Sequence, residues 1–185
     1  MKKPAIIRSI IYTAICIALV LLDQFVKWLI TVEIPYGHAV PVIENFFSIS
    51  HVLNTGAAWG VFADHTWMLS CVTLIACIVL IYLISVSIHK WFTASYLMII
   101  SGAIGNLVDR IFRGEVVDFL SFRFGTYDFP SFNVADICIC CGCFLLMFLV
   151  LFATKEEHKL FKEGSLAARF LTSDKKTEGD DAPIQ

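Results

Sequence analysis

Asp118 and Asp136 are the residues of this chain whose type and position best suit chemistry. Asp136 stands at the head of a long apolar run, "FNVADICICCGCFLLMFLVLFA", and Asp118 lies in the connection before that run. Two carboxyl groups held face to face cannot both ionise easily, so they share one proton near neutral pH. The ionised group can then deprotonate a water molecule while the protonated group polarises a carbonyl. Such a pair would hydrolyse an amide bond without a metal ion or a cofactor.

Each aspartate, considered alone, also has an explanation that involves no catalysis. Asn133 and Asp136 have the spacing of an N-x-x-D capping box, in which the acid stabilises the N-terminus of a helix. Asp118 follows a predicted helix end, where an ordinary solvated loop residue would also fit. The sequence leaves both explanations open for either residue.

Further polar residues are predicted at the same depth and on the same side of the membrane. In the first of four predicted membrane spans, about residues 9–30, Asp23 precedes Lys27 by one helical turn, so an i, i+4 ion pair is available, roughly 10 Å below the outer end of the helix. Adjacent Asp109 and Arg110 also fit a structural ion pair. A polar face of the third span holds four residues at i, i+3, i+4 and i+7 spacing: Asn106, Asp109, Arg110 and Arg113. Because charges are costly in hydrocarbon, this convergence indicates a functional site.

Cysteine, serine and metal chemistry fit the sequence less well. Every cysteine falls within a predicted membrane span, where cysteine acts as a small hydrophobic residue, and we interpret all seven as packing residues: Cys16, Cys71, Cys77, Cys138, Cys140, Cys141 and Cys143. Ser101 has no histidine within a span to activate it, since His51 and His65 lie in connections. The sequence contains no HExxH motif, and we expect no metal site and no cofactor.

Composition and hydropathy predict a membrane protein with four helices. Of the 185 residues, 58% are hydrophobic and only 16% are charged, whereas a soluble domain carries about a quarter charged residues. Four segments are long and apolar enough to span a bilayer, at about residues 9–30, 67–88, 93–112 and 134–153. We therefore predict an all-α membrane domain over residues 1–154 and a cytoplasmic, largely disordered tail over residues 155–185. The Lys and Arg residues do not form a patch suited to nucleic acid.

The distribution of Lys and Arg among the connections predicts both termini in the cytoplasm. The first outer connection, about residues 31–65, contains "HAVPVI" and "FFSISHVL", which predict a small antiparallel sheet on the outer leaflet. The second, between the third and fourth spans, contains an aromatic-rich segment bracketed by Gly114 and Gly125. We hypothesise that this segment is a loop that closes over the site.

Five motifs in one order give the chain a close resemblance to a known family. They are "DQFVK", "NTGAAWG", "GAIGNLVDR", "VVDF" and "FNVAD", which together cover the region from about Ile10 to Phe152. This combination resembles the lipoprotein signal peptidase family, also called signal peptidase II. The CICCGC stretch lies outside the family pattern, which agrees with a packing role for its cysteines.

The resemblance implies a four-span aspartic endopeptidase of the bacterial inner membrane. It implies cleavage of prolipoproteins on the amino side of a diacylglyceryl-modified cysteine, and it assigns the catalytic pair to Asp118 and Asp136. Residues that would bind substrate or brace the site are Asn54, Gly56, Asn106, Arg110 and Asn133, together with the polar residues Asp23, Lys27 and Asp109. The partners implied are diacylated prolipoproteins and membrane lipids, and we expect a monomer.

Two other classes of function remain open from the sequence. Acids within a membrane also mark ion paths, so a small transporter or a proton-conducting protein is one alternative. Transporters commonly show internal repeats, and this sequence shows none. A non-catalytic scaffold, whose polar pairs only lock helices together, is the other.

Overall fold

Four helices and a small sheet make up the computed structural model, which describes residues 3–56, 66–152 and 161–169. The helices are α1 (Lys3–Glu33), α2 (Thr66–Val86), α3 (Lys90–Phe112) and α4 (Val134–Phe152). The strands are β1 (Ala39–Ile43), β2 (Phe47–Asn54), β3 (Val116–Phe124) and β4 (Tyr127–Asp128). All four helices are long and apolar enough to cross a membrane, over residues 7–33, 66–86, 90–112 and 134–152. The predicted fold class of four spans with a small sheet is confirmed.

Helix α3 is the central element of the bundle and contacts each of the other three helices. Its small residues allow this close approach, because a Cβ atom added to Gly102 would lie 2.2 Å from the carbonyl oxygen of Ala135. Gly142 makes the reciprocal approach from α4, with an added Cβ 2.9 Å from the carbonyl oxygen of Ser95. The first turn of α4 is therefore held directly against the middle of α3.

The sheet is antiparallel throughout, in the order β1-β2-β3-β4. Strands β1 and β2 confirm the sheet predicted in the first outer connection. The second outer connection adds β3 and β4, so the segment expected as a closing loop is largely a strand fixed beside β2. Its residues 129–132 return along β3, where Phe132 forms a bridge with Leu120. This return delivers Asn133 and the start of α4 to the middle of β3.

Strand alternation separates the two faces of β3. Val117 and Phe119 are buried in an apolar cluster with Ile30 and Ile34 at the end of α1. Asp118, between them, therefore points to the opposite face of the sheet. The sheet thus holds Asp118 on a rigid strand that packs against α1.

Residues 161–169 lie at the other end of the bundle from the sheet. Phe161 is buried and forms an antiparallel bridge with Ser87, just after α2, and the Lys162 amide donates to the carbonyl of Val86 over 2.8 Å. The rest of the predicted tail, residues 155–160 and 170–185, lies outside the described residues, as do residues 57–65 of the first outer connection.

Candidate active site

Asp118 is buried and accepts hydrogen bonds on both of its carboxyl oxygens. Asn133 Nδ2 donates to Asp118 Oδ1 over 2.6 Å, and Asn54 Nδ2 donates to Asp118 Oδ2 over 2.9 Å. The pKa of Asp118 is raised from 3.8 to about 6, first by burial and also by the charge of nearby Asp136, which together outweigh the two amide bonds and Lys27 that lower it. The side chain can therefore take up or release a proton close to neutral pH.

Asp136 occupies the first turn of α4 and belongs to the predicted capping box. Its Oδ2 accepts from the backbone N–H of Asn133 over 3.1 Å, and Asn133 Oδ1 accepts from the backbone N–H of Asp136 over 3.0 Å. The carboxyl group accepts a second bond at Oδ1, from Asn106 Nδ2 on α3 over 2.8 Å. The cap does not exclude a role in chemistry, because the same carboxyl group is also bound to the polar face of α3.

Three asparagine side chains surround the two acids, and each has a fixed amide orientation. Asn133 Oδ1 is occupied by a backbone N–H of α4, and Asn54 Oδ1 accepts from the backbone N–H of Gly56 over 2.9 Å. Asn106 Oδ1 accepts from Lys27 Nζ over 3.0 Å and from Asn133 Nδ2 over 3.1 Å. Since every amide oxygen is engaged by a donor, every amide N–H₂ is left to face a carboxyl oxygen. Asn133 has no exposed surface and forms hydrogen bonds with both Asp118 and Asp136.

Behind the asparagines lies a buried ion cluster that joins α1 to α3. Lys27 Nζ lies 2.8 Å from Asp23 Oδ2 and 2.8 Å from Asp109 Oδ2. Asp23 also accepts from the backbone N–H of Ala135 over 2.9 Å, which ties α4 to the cluster. The predicted Asp23–Lys27 pair is confirmed.

Asp109 and Arg110 turn to different sides of α3. Asp109 forms its ion pairs with Lys27 and with Arg113, the latter over 3.2 Å. Arg110 lines a cavity on another face, where its Nη2 donates to the carbonyl of Gly56 over 3.3 Å. The predicted Asp109–Arg110 pair is therefore wrong, because successive residues on a helix point about 100° apart.

One cluster member, Gln24, was not singled out from the sequence. Its Nε2 lies 3.1 Å from the Gly105 carbonyl and 3.2 Å from Asp109 Oδ1. The available signal was an uncharged polar residue within an apolar span, adjacent to Asp23.

Both acids line one end of a large cavity of about 1010 Å³. Its walls come from α2, α3 and α4, and the end next to the sheet is lined by β2, β3 and residues 129–132. The acids lie at the end of the cavity where the polar lining residues are found. The rest of the cavity lining is mostly apolar and includes Leu80, Ile99 and Phe144. The cavity therefore offers a polar end and an apolar length to a single ligand.

The cysteines do not form a disulfide or a metal cluster within the described part of the chain. Cys16, Cys71, Cys77 and the four cysteines of α4 are all free thiols. Among residues 3–56, 66–152 and 161–169, no group of three or more His, Cys, Asp or Glu side chains is arranged to hold a metal ion. Cys140 and Cys141 contribute to the cavity wall, which the packing interpretation did not anticipate.

The geometry has counterparts in known proteins. The family model described as signal peptidase (SPase) II matches residues 15–152, which contain both acids, all three asparagines and the ion cluster. The chain belongs to the signal peptidase II family. The resemblance recognised from the five motifs is thereby confirmed, and the chain is an integral membrane peptidase.

Individual relatives agree over nearly their whole length. The lipoprotein signal peptidase of Bacillus pumilus is 38% identical over 150 residues, covering 80% of this chain and 97% of the relative. The lipoprotein signal peptidase of Halalkalibacterium halodurans is 36% identical, covering 83% and 97%. Two solved structures described as bacterial membrane enzymes superpose with TM-scores of 0.73 and 0.69, at 30% and 32% identity. They cover 84% and 77% of this chain and 93% and 94% of their own chains.

The structure brings together all ten residues singled out from the sequence as site residues. Asp118 and Asp136 face the cavity, and Asn54, Asn106 and Asn133 contact them. Gly56 and Arg110 lie beside Asn54 at the cavity wall. The ion cluster of Asp23, Lys27 and Asp109 braces the site from behind.

Proposed function

We propose that this protein is a lipoprotein signal peptidase. It would hydrolyse the peptide bond on the amino side of the diacylglyceryl-modified cysteine of prolipoproteins. The observation that carries the proposal is the position of Asp118 and Asp136 together at the polar end of a deep apolar cavity. The printed names of the relatives, lipoprotein signal peptidases, support the substrate class.

The proposed reaction is direct attack by water with the two acids as general acid and base. One ionised carboxylate takes a proton from a water molecule as the water oxygen bonds to the carbonyl carbon. The protonated partner acid donates a hydrogen bond to the carbonyl oxygen at the same time. The tetrahedral intermediate collapses when a proton passes to the amide nitrogen, which leaves as the amine of the modified cysteine. Asp136 is the better candidate for the initial base, because a helix N-terminus stabilises its anion.

The electrostatics of Asp118 support its role as the partner acid. With a pKa of about 6, roughly one tenth of Asp118 is protonated at pH 7, far more than for an exposed aspartate. The amide N–H₂ groups of Asn54 and Asn133 hold it in one position in either protonation state. The acid is therefore positioned before the substrate arrives, which removes an orientational cost from the reaction.

The cavity supports a lipidated substrate. We propose that the signal helix and the acyl chains lie along its apolar walls between α2, α3 and α4, with the scissile bond at the acids. The lipid would then stay within the bilayer while the peptide bond meets water at the membrane boundary. Both acids and the amides that contact them come from one chain, which supports a monomer as the active form.

We propose an orientation in the bacterial inner membrane with both termini cytoplasmic. The acids lie at the sheet end of the bundle, whereas Lys90 and Lys162 lie at the opposite end, near Ser87. Positively charged connections favour the cytoplasmic side. The site would then sit at the boundary of the outer leaflet.

The experiment that tests the function uses purified protein and one precursor prepared with and without the diacylglyceryl group. We expect the lipidated precursor to lose its signal peptide in a gel-shift assay, with mass spectrometry placing the cut before the modified cysteine. The unmodified precursor is the matched control and should remain intact. A folded protein that leaves the lipidated precursor intact, or cuts elsewhere, would contradict the proposal.

A further inference from the structure

Lys27 is a buried cation whose ammonium group lies between two carboxylates and one amide oxygen. It has no exposed surface, and three acceptors lie within hydrogen-bond distance of its Nζ. Two are the carboxylates of Asp23 and Asp109, at 2.8 Å each, and the third is Asn106 Oδ1 at 3.0 Å. An ammonium group has three N–H bonds and accepts none. The third bond thus links the ion cluster to an amide that contacts Asp136.

We propose that Lys27 is a positioning residue for the hydrolysis, which fixes the Asn106 amide so that its N–H₂ faces Asp136. This inference rests on the proposed function. With Lys27 on its oxygen, Asn106 donates from Nδ2 to Asp136 Oδ1 over 2.8 Å. A flipped amide would turn its N–H₂ toward the ammonium and its oxygen toward the carboxylate, so that both contacts become repulsive.

A second donor makes the orientation of Asn106 cooperative. Asn133 Nδ2 also donates to Asn106 Oδ1, over 3.1 Å, and the same nitrogen donates to Asp118. Asn133 cannot hold Asn106 alone, because its N–H₂ group is shared among Asn106, Asp118 and the Val117 carbonyl. Lys27 is the charged donor of the pair, and hydrogen bonds to charged groups are roughly twice as strong as neutral ones.

Several charged groups surround this contact and must be separated from its effect. They are Asp23 on α1, Asp109, Arg110 and Arg113 on α3, and Asp118 on β3. Removing Lys27 therefore removes a nearby positive charge as well as the donor to Asn106. Only a comparison with and without the Asn106 side chain distinguishes the two effects.

The test is the pH profile of precursor cleavage for Lys27→Met, measured in the parent and in an Asn106→Ala background. In the parent background we expect turnover about ten- to hundredfold lower. The acid limb of the profile should move about one unit to higher pH, since Asp136 loses a donor that favours its anion. In the Asn106→Ala background, Lys27→Met should lower turnover and shift the acid limb by less than half as much, since only the direct effect of its charge remains. An equal shift in both backgrounds would overturn the proposal in favour of a direct charge effect.

Asp109→Asn is the matched control, because Asp109 contacts Lys27 but is not bonded to Asn106. It removes a negative charge from the same cluster, so its direct effect would move the acid limb to lower pH, opposite to Lys27→Met. If Asp109→Asn also moves the limb to higher pH, the shift reflects general damage to the cluster and the proposal fails.

Two further measurements keep the result decisive. Thermal unfolding in detergent checks that each variant is folded. If Lys27→Met does not fold, the double variant Lys27→Met with Asp109→Asn, which removes one charge of each sign, is used in its place. If neither folds, Lys27 is a structural residue and the proposal is overturned. Infrared titration reports the ionisation of Asp136 independently of cleavage activity. The carboxylic-acid band of Asp136 is identified as the one that Asp136→Asn removes. The shift in this titration caused by Lys27→Met should depend on the Asn106 side chain in the same way, even if the proposed function is wrong.

Discussion

The substitution Gly102→Ala tests the close packing that joins α3 to the start of α4. A Cβ atom at this position would lie 2.2 Å from the Ala135 carbonyl oxygen and 2.8 Å from Ile139 Cγ1. Real Cβ contacts essentially never fall below 3.0 Å, so the two helices must separate by at least about 0.8 Å at this point. The obstructing atom is backbone, so no side-chain rotation can relieve the contact.

The size of the effect follows from what lies on either side of Gly102. Asn106 is one turn further along α3, and Asp136 is next to Ala135, so the separation acts directly on the 2.8 Å bond between them. Overpacking of this kind costs about 1–3 kcal/mol of unfolding free energy. A displacement near 1 Å at a catalytic group costs about a hundredfold in rate. We therefore expect a larger loss of activity than of stability.

The assay measures cleavage of a diacylated precursor and thermal unfolding of the same detergent-solubilised protein. Ile111→Ala is the control on the same helix, because its side chain is exposed on the bundle surface and we expect a change within about 0.5 kcal/mol. If Gly102→Ala matches the control in both rate and stability, the helices do not approach as closely as described and the reasoning fails.

Four further predictions follow from single contacts. Asn133→Ala should lower stability by about 2–4 kcal/mol, by removing the cap of α4 and a bond to Asp118, and calorimetry that finds no loss would contradict this. Because the Asp118 pKa is raised from 3.8 to about 6, mainly by burial, the contribution of this residue to stability should be fully present below about pH 4 and fall by about 3 kcal/mol as pH rises past 6. Unfolding curves of Asp118→Leu should lack that fall, and its persistence would refute the assignment. Ala76→Phe narrows the cavity and should raise KM for the lipidated precursor about tenfold, because about two methylene groups of the substrate would be left unburied. An unchanged KM would show that the substrate binds elsewhere. Arg123→Gln breaks an exposed, solvent-screened ion pair and should leave the thermal unfolding midpoint essentially unchanged, so a clear drop in the midpoint would contradict this.

Local features of the site could be predicted because they depend on short spacings. The Asp23–Lys27 pair follows from an i, i+4 spacing on one helix, and the Asn133–Asp136 cap from a three-residue spacing at a helix start. Each spacing fixes two side chains within one turn, whatever the rest of the chain does.

Contacts between distant segments could not be predicted. The bond from Lys27 to Asn106 joins positions 79 residues apart, and it depends on how α1 lies against α3. For the same reason the sequence predicts an ion pair of Asp109 with Arg110 and not with Lys27. A sequence shows which residues are adjacent along the chain but not which residues are adjacent in space. The sequence predicts a loop where β3 lies, because the partner strand that pairs with it, β2, belongs to the other connection.

The most direct test of the account is the single-turnover cleavage rate of a diacylated precursor by Asp118→Asn and by Asp136→Asn, each compared with the parent protein under identical conditions. Thermal unfolding of each variant confirms that it is folded. We expect both substitutions to lower the rate by about 10²–10⁴-fold, since each removes one half of the acid–base pair. A folded variant of either kind that cleaves at close to the parental rate would contradict it.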